Sequence, residues 1–133
     1  MLKVVLYLGA VYYLIGAIAH YFALTIFPWF VSGLYAPYQD TVIAFVAIMI
    51  TCLLVFIAKD PVKHRDMLKA VIIGAIAAPI FSILVISKVN FVALGVPGKG
   101  TQTIVESILG FMYSGILIWL YPRGEEPVNP LGK

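Results

Sequence analysis

Four apolar stretches, at roughly residues 2–27, 41–58, 67–87 and 103–121, take up most of this 133-residue chain. Each is close to the length of helix, about 20 residues, that crosses a hydrocarbon core about 30 Å thick. Backbone N–H and C=O groups cannot be left unpaired in lipid, so a spanning stretch has to be helical. The fold class predicted is all-α: a four-helix transmembrane bundle forming one domain over residues 1–121. A mobile tail at 122–133, with three prolines and two glutamates, is expected to follow it.

Charged residues are 11% of the chain, against about 25% in soluble domains. The loops between spans are short, so no separate soluble catalytic or binding domain is expected. A net charge of +3 does not point to nucleic acid, because the basic residues lie at span ends, where they meet lipid head groups. A lone Cys52 rules out an internal disulfide and a CxxC redox pair. It reads as a small buried residue.

The first stretch also has the outline of a secretory signal, with Lys3 near its start and Ala17-Ile18-Ala19 as a small-residue cleavage pattern before His20. The apolar run continues to Phe27, which gives spanning length, so a retained helix is expected. With four spans, both termini and the middle loop share one face. That face carries Lys3, Lys59, Lys63, Arg65, Lys69, Arg123 and Lys133, and the other carries Lys88 and Lys99. Seven basic residues against two put both termini in the cytoplasm. Trp29, Tyr35 and Tyr38 then fall at the outer interface, and Trp119 and Tyr121 at the inner one.

The turn Lys59-Asp60-Pro61 offers an N-cap and a first helical residue, so the third helix is expected to begin as early as Pro61 and to form a tight hairpin with the second. Pro28, Gly33 and Pro37 make residues 28–40 an outer loop, with Asp40 capping the second helix. Residues 89–102 form the other outer loop. Its glycines resemble a phosphate loop but lack the Gly-Lys-Ser/Thr order. Pro79 should kink the third span. His64 lies among charges and is expected to be solvated.

Each span has a stripe of small or polar residues at helical spacing: Gly9, Tyr13, Gly16 and His20; Asp40, Ala44, Ala47 and Thr51; Ala75, Ala78 and Ser82; Thr103, Glu106, Ser107, Gly110, Tyr113 and Ser114. Small residues let membrane helices approach closely, so these faces are expected to point inward. His20 and Glu106 stand out, because ionisable groups inside spans are costly and usually face the bundle interior. Their depths from the outer side appear matched, at about 10 Å and about 6 Å, and a direct or water-bridged contact between them is expected. With Asp40, Tyr13, Tyr113 and Gln102 they make a polar mouth on the outer half, a candidate ligand pocket. No catalytic role can be assigned to any one residue, no cofactor is identified, and the ligand spacing for a metal site is missing.

The layout resembles the DoxX-like group of small four-helix bacterial membrane proteins. The likeness lies in Tyr12-Tyr13-Leu14-Ile15-Gly16 of the first span, a short outer loop ending at Tyr38-Gln39-Asp40, and a second span closing on Ala58-Lys59-Asp60-Pro61. It covers most of the chain and implies the fold, with no catalytic residue carried over. The chain is also similar in length to small multidrug transporters, whose embedded glutamate lies in the first helix, where this chain has His20. The functional expectation is a multi-pass protein of a bacterial or archaeal plasma membrane. It would be an accessory subunit, or a binder of an apolar or lipid-like ligand. The alternatives are a small enzyme using His20 and Glu106 on a lipid or quinone-like substrate, and a proton-coupled transporter. The expected partners are membrane lipids and a membrane protein or a second copy of the chain.

Overall fold

The computed structural model describes residues 1–24 and 36–122. It is all-helical there, with α1 (Leu2–Tyr21), α2 (Pro37–Lys59), α3 (Arg65–Lys88) and α4 (Pro97–Trp119). All four helices are long and apolar enough to cross a membrane. Their outward surface is apolar throughout, with Phe45, Ile73, Phe81 and Met112 each more than half exposed. Such a surface suits contact with lipid tails and is compatible with a multi-pass membrane protein. Residues 25–27 of the first expected span, Trp29, Tyr35 and the expected tail beyond Pro122 lie outside the described residues.

The helix ends differ from the sequence expectation, and each difference has a local cause. α1 stops at Tyr21. There the Leu24 N–H donates to the Ala19 carbonyl and the Ala23 N–H to the His20 carbonyl. Ala23 has a φ of +52°. This is the six-to-one and five-to-two pattern of a left-handed helix stop, with alanine where glycine is usual. α2 begins at Pro37, a turn before the expected Thr41, with proline in the first turn, where its missing N–H costs nothing. α3 begins at Arg65, after a turn over residues 61–64. Asp60 caps that turn, its Oδ1 accepting from the Lys63 N–H at 3.1 Å, so Pro61 opens a turn and not the helix. α4 begins at Pro97, about six residues before the expected start, and takes in Gly98, Lys99 and Gly100. Pro79 does not end α3, which runs through it to Lys88.

The chain folds as two antiparallel hairpins, α1–α2 and α3–α4; α2 and α3 touch only lightly across the 60–64 turn, so the tight hairpin expected of them is not formed. In the first, Lys3 Nζ at the start of α1 donates to the Lys59 carbonyl at the end of α2. In the second, the Tyr121 hydroxyl just past α4 lies 3.5 Å from the Arg65 carbonyl at the start of α3. The hairpins meet at the end that carries the N-terminus and the α2–α3 turn. Leu6, Ala10, Leu54, Ile57, Ala58, Leu68, Ile72 and Leu117, drawn from all four helices, form the main core there. Toward the other end, α1 and α2 are joined through the buried Ala17, Ala44 and Ala47. The Thr51 hydroxyl lies at this seam, 2.9 Å from the Ala47 carbonyl of its own helix and 3.3 Å from the Ala10 carbonyl of α1.

Two glycines set the approach of α4. A Cβ on Gly110 would lie 3.3 Å from Cγ of the buried Pro79, so α3 and α4 touch backbone to ring. A Cβ on Gly9 would overlap the Tyr113 hydroxyl and stand 2.8 Å from its Cζ. Gly9 is buried, and the Tyr113 ring fills the place a side chain would take. Gly9 therefore leaves room for the tip of the Tyr113 side chain, which reaches α1 from α4. Gly115 has open space around it. Gly9→Leu should lower stability by about 1–3 kcal/mol through overpacking, while Gly115→Leu should leave it nearly unchanged. Thermal unfolding of both variants in detergent checks this; equal melting temperatures would remove the Gly9–Tyr113 contact as a packing constraint.

Candidate functional site

Polar side chains gather at the end away from the main core. His20 is in the last turn of α1 and Asp40 in the first turn of α2, so an antiparallel hairpin sets them opposite one another. His20 Nδ1 lies 2.5 Å from Asp40 Oδ1, with the ring N–H donating to the carboxylate. Asp40 is almost fully buried, and its other oxygen accepts from the Ala36 N–H at 2.7 Å. Asp40 is therefore not the cap residue expected of it. It sits one turn inside α2 and reaches back to a backbone N–H left over at the helix start. A carboxylate in that first turn also suits the helix dipole.

Glu106 stands nine residues into α4, or about 13 Å along it. The carboxylate against His20 Nδ1 is that of Asp40, while His20 and Glu106 line one cavity. On α4, Glu106 Oε1 accepts from Gln102 Nε2 at 2.8 Å. Gln102 Oε1 accepts in turn from Lys99 Nζ at 3.4 Å. Gln102 is buried, so this ladder joins a basic residue near the helix start to an acid deeper along the same face.

Because the hairpins close at one end only, a cleft remains between them, and Glu106 stands where its two lobes join. The larger lobe, about 340 Å³, has Tyr12, Tyr13 and His20 on one side and Val42, Ile43 and Val46 on another. The smaller, about 170 Å³, lies toward α3 and is walled by Pro79, Ser82, Gly110 and Tyr113. Tyr12, Tyr13 and Glu106 line both lobes. Val42, Ile43 and Val46 are each 46% exposed, so the larger lobe opens sideways through apolar side chains. The Tyr113 hydroxyl is buried and has no hydrogen-bond partner among the described residues.

Of the six residues expected to form the site, the cleft brings together His20, Tyr13, Tyr113 and Glu106. Gln102 belongs to it through Glu106, and Asp40 through His20. Tyr12 was not among them; its place next to Tyr13 at the level of Gly16 and Glu106 becomes visible only once α4 is docked. Two single-residue expectations are corrected. Cys52 is exposed on the outward face of α2. His64 is half-buried, its ring 4.3 Å from that of Phe56.

The unpaired Tyr113 hydroxyl has a measurable consequence. A buried hydroxyl without a partner costs about 1–3 kcal/mol. Tyr113→Phe keeps the ring against Gly9 and removes that group, so it should raise the melting temperature of the ligand-free protein. A lower melting temperature would show that the hydroxyl is satisfied in the folded protein.

Comparison of the chain with family models, with curated proteins and with solved structures finds no match.

Proposed function

We propose that this chain is a multi-pass membrane protein that binds a lipid-like amphiphile in the cleft between its two hairpins. One observation carries the reading: Glu106 and three tyrosines surround a cavity whose larger lobe opens sideways through valine and isoleucine. A pocket of about 300–1,000 Å³ that is mostly apolar with a few convergent polar groups is the usual form of a small-molecule site. The ligand's polar head would lie at Glu106 and the Tyr113 hydroxyl. Its apolar part would lie along Val42, Ile43 and Val46 and enter from the bilayer. Such a protein would carry or present its ligand, alone or as an accessory subunit.

A second reading, acid–base chemistry on a bound lipid or quinone-like molecule, is favoured by His20 and Glu106 lining the same lobe. It requires turnover, where the first requires only retention.

The test is mass spectrometry of small molecules retained through purification in mild detergent. Wild-type protein should carry a defined apolar compound. Glu106→Gln should lose at least about tenfold of it, because a charge-assisted hydrogen bond is worth about 1.5–3 kcal/mol. Val46→Trp should exclude it by filling the lobe, with unfolding temperatures near wild type in both variants. Retention of the same compound at wild-type level by both variants would place the ligand elsewhere.

We also propose that both termini face the cytoplasm of a bacterial or archaeal cell. Among the described residues, Lys3, Lys59, Lys63, Arg65 and Lys69 lie at the terminal end, against Lys88 and Lys99 at the other. On a Cys52→Ala background, Ala93→Cys should react with an impermeant thiol reagent on intact cells, and Lys63→Cys should react only after lysis. The reverse pattern would invert the orientation.

A further inference from the structure

A second cavity lies at the terminal end, away from the cleft. It is a groove of about 420 Å³ between α3 and α4, lined by Ile72, Ile73 and Ile118, with Lys69 and Tyr121 at its rim. Its floor is apolar and its rim carries an ammonium and a hydroxyl. Trp119, 69% exposed and one residue from Ile118, and Tyr121 mark the level where amphipathic rings meet head groups.

The charge around the groove selects the ligand's sign. Lys3, Lys59, Lys63, Arg65 and Lys69 lie at this end with only Asp60 and Asp66 among the described acids. Lys69 Nζ donates to Asp66 Oδ1 at 3.1 Å, but both side chains are mostly exposed. An exposed pair of this kind is weak, and an ammonium has three N–H donors, so Lys69 can hold a second acceptor. Basic residues between transmembrane helices at the cytoplasmic face favour anionic head groups.

We propose that this groove is a binding site for an anionic phospholipid. One acyl chain lies along Ile72, Ile73 and Ile118, and the phosphate accepts a hydrogen bond from the Lys69 ammonium at the rim, beside the Tyr121 ring. The site is independent of Glu106 and of the cleft. It rests on the proposed reading of the four helices as membrane spans with this end cytoplasmic.

The test is native mass spectrometry of the full chain in detergent with equal amounts of phosphatidylglycerol and phosphatidylcholine of identical acyl chains. The first retained lipid on wild-type protein should be phosphatidylglycerol, preferred by about fivefold, the weight of one basic residue at a lipid surface. Lys69→Gln should bring the two lipids near parity, and Lys88→Gln at the opposite end should leave the preference intact. Ile73→Trp, which fills the groove without touching the charge, should lower retention of the first lipid. Circular dichroism melting confirms that each variant is folded. Equal retention of the two lipids by wild type, an unchanged preference in Lys69→Gln, or undiminished retention in Ile73→Trp would each overturn the proposal.

Discussion

Leu6, Leu54, Ile57, Leu68 and Leu117 come from all four helices and meet with no exposed surface at the end of the molecule that carries the N-terminus. In water such a cluster would be driven together by loss of apolar surface. Between membrane helices that driving force is absent, because lipid tails are as apolar as leucine, and close packing has to hold the helices instead. Many small dispersion contacts can do this only where side chains interlock. The large aliphatic residues interlock at one end. Toward the other, the seam between α1 and α2 is made of alanines, which suit two helices lying close together but do not extend to the second hairpin. An open cleft at that end follows from where the bulky residues are.

The same arrangement makes room for an acid. Glu106 could not be held in hydrocarbon without compensation, and α4 supplies part of it locally. The helix starts at Pro97, two turns before the strongly apolar sequence, and that extra length carries Lys99 and Gln102 on the face that leads to Glu106. The Gln102 amide both donates to the carboxylate and accepts from the ammonium, so the charge is shared along one side of one helix. His20 takes a different course. It is tied to Asp40 across the hairpin, and that pair fixes the end of α1 against the start of α2.

The four helices were legible in the sequence because their signal is length and hydropathy, which depend on many residues at once. The two-hairpin arrangement and the pairing of His20 were not, because they hinge on helix ends. α1 ends at a left-handed alanine, Ala23, inside a run that stays apolar to Phe27, so nothing in composition marks the stop. α4 begins in Pro-Gly-Lys-Gly, which reads as a loop until the role of proline in a first helical turn is weighed against two glycines. The small-residue stripes were better guides. Gly9, Ala44, Ala47, Ser107 and Ser114 are buried as their spacing implied.

Gly9 and Tyr113 connect the packing to the cleft. The glycine lets the tyrosine ring sit flush against α1, and the same ring forms a wall of the smaller lobe. Its hydroxyl is thereby carried into the interior, where among the described residues nothing satisfies it. Phenylalanine would fill the same space without leaving a polar atom unpaired, so packing alone gives no reason for the oxygen. Ser82 on α3 and Glu106 on α4 line the lobe that Tyr113 walls. With Tyr12 and Tyr13 of α1, five side chains that can hydrogen-bond, from three helices, surround one small space. Closing the bundle at one end and holding it open at the other keeps that space reachable from the side.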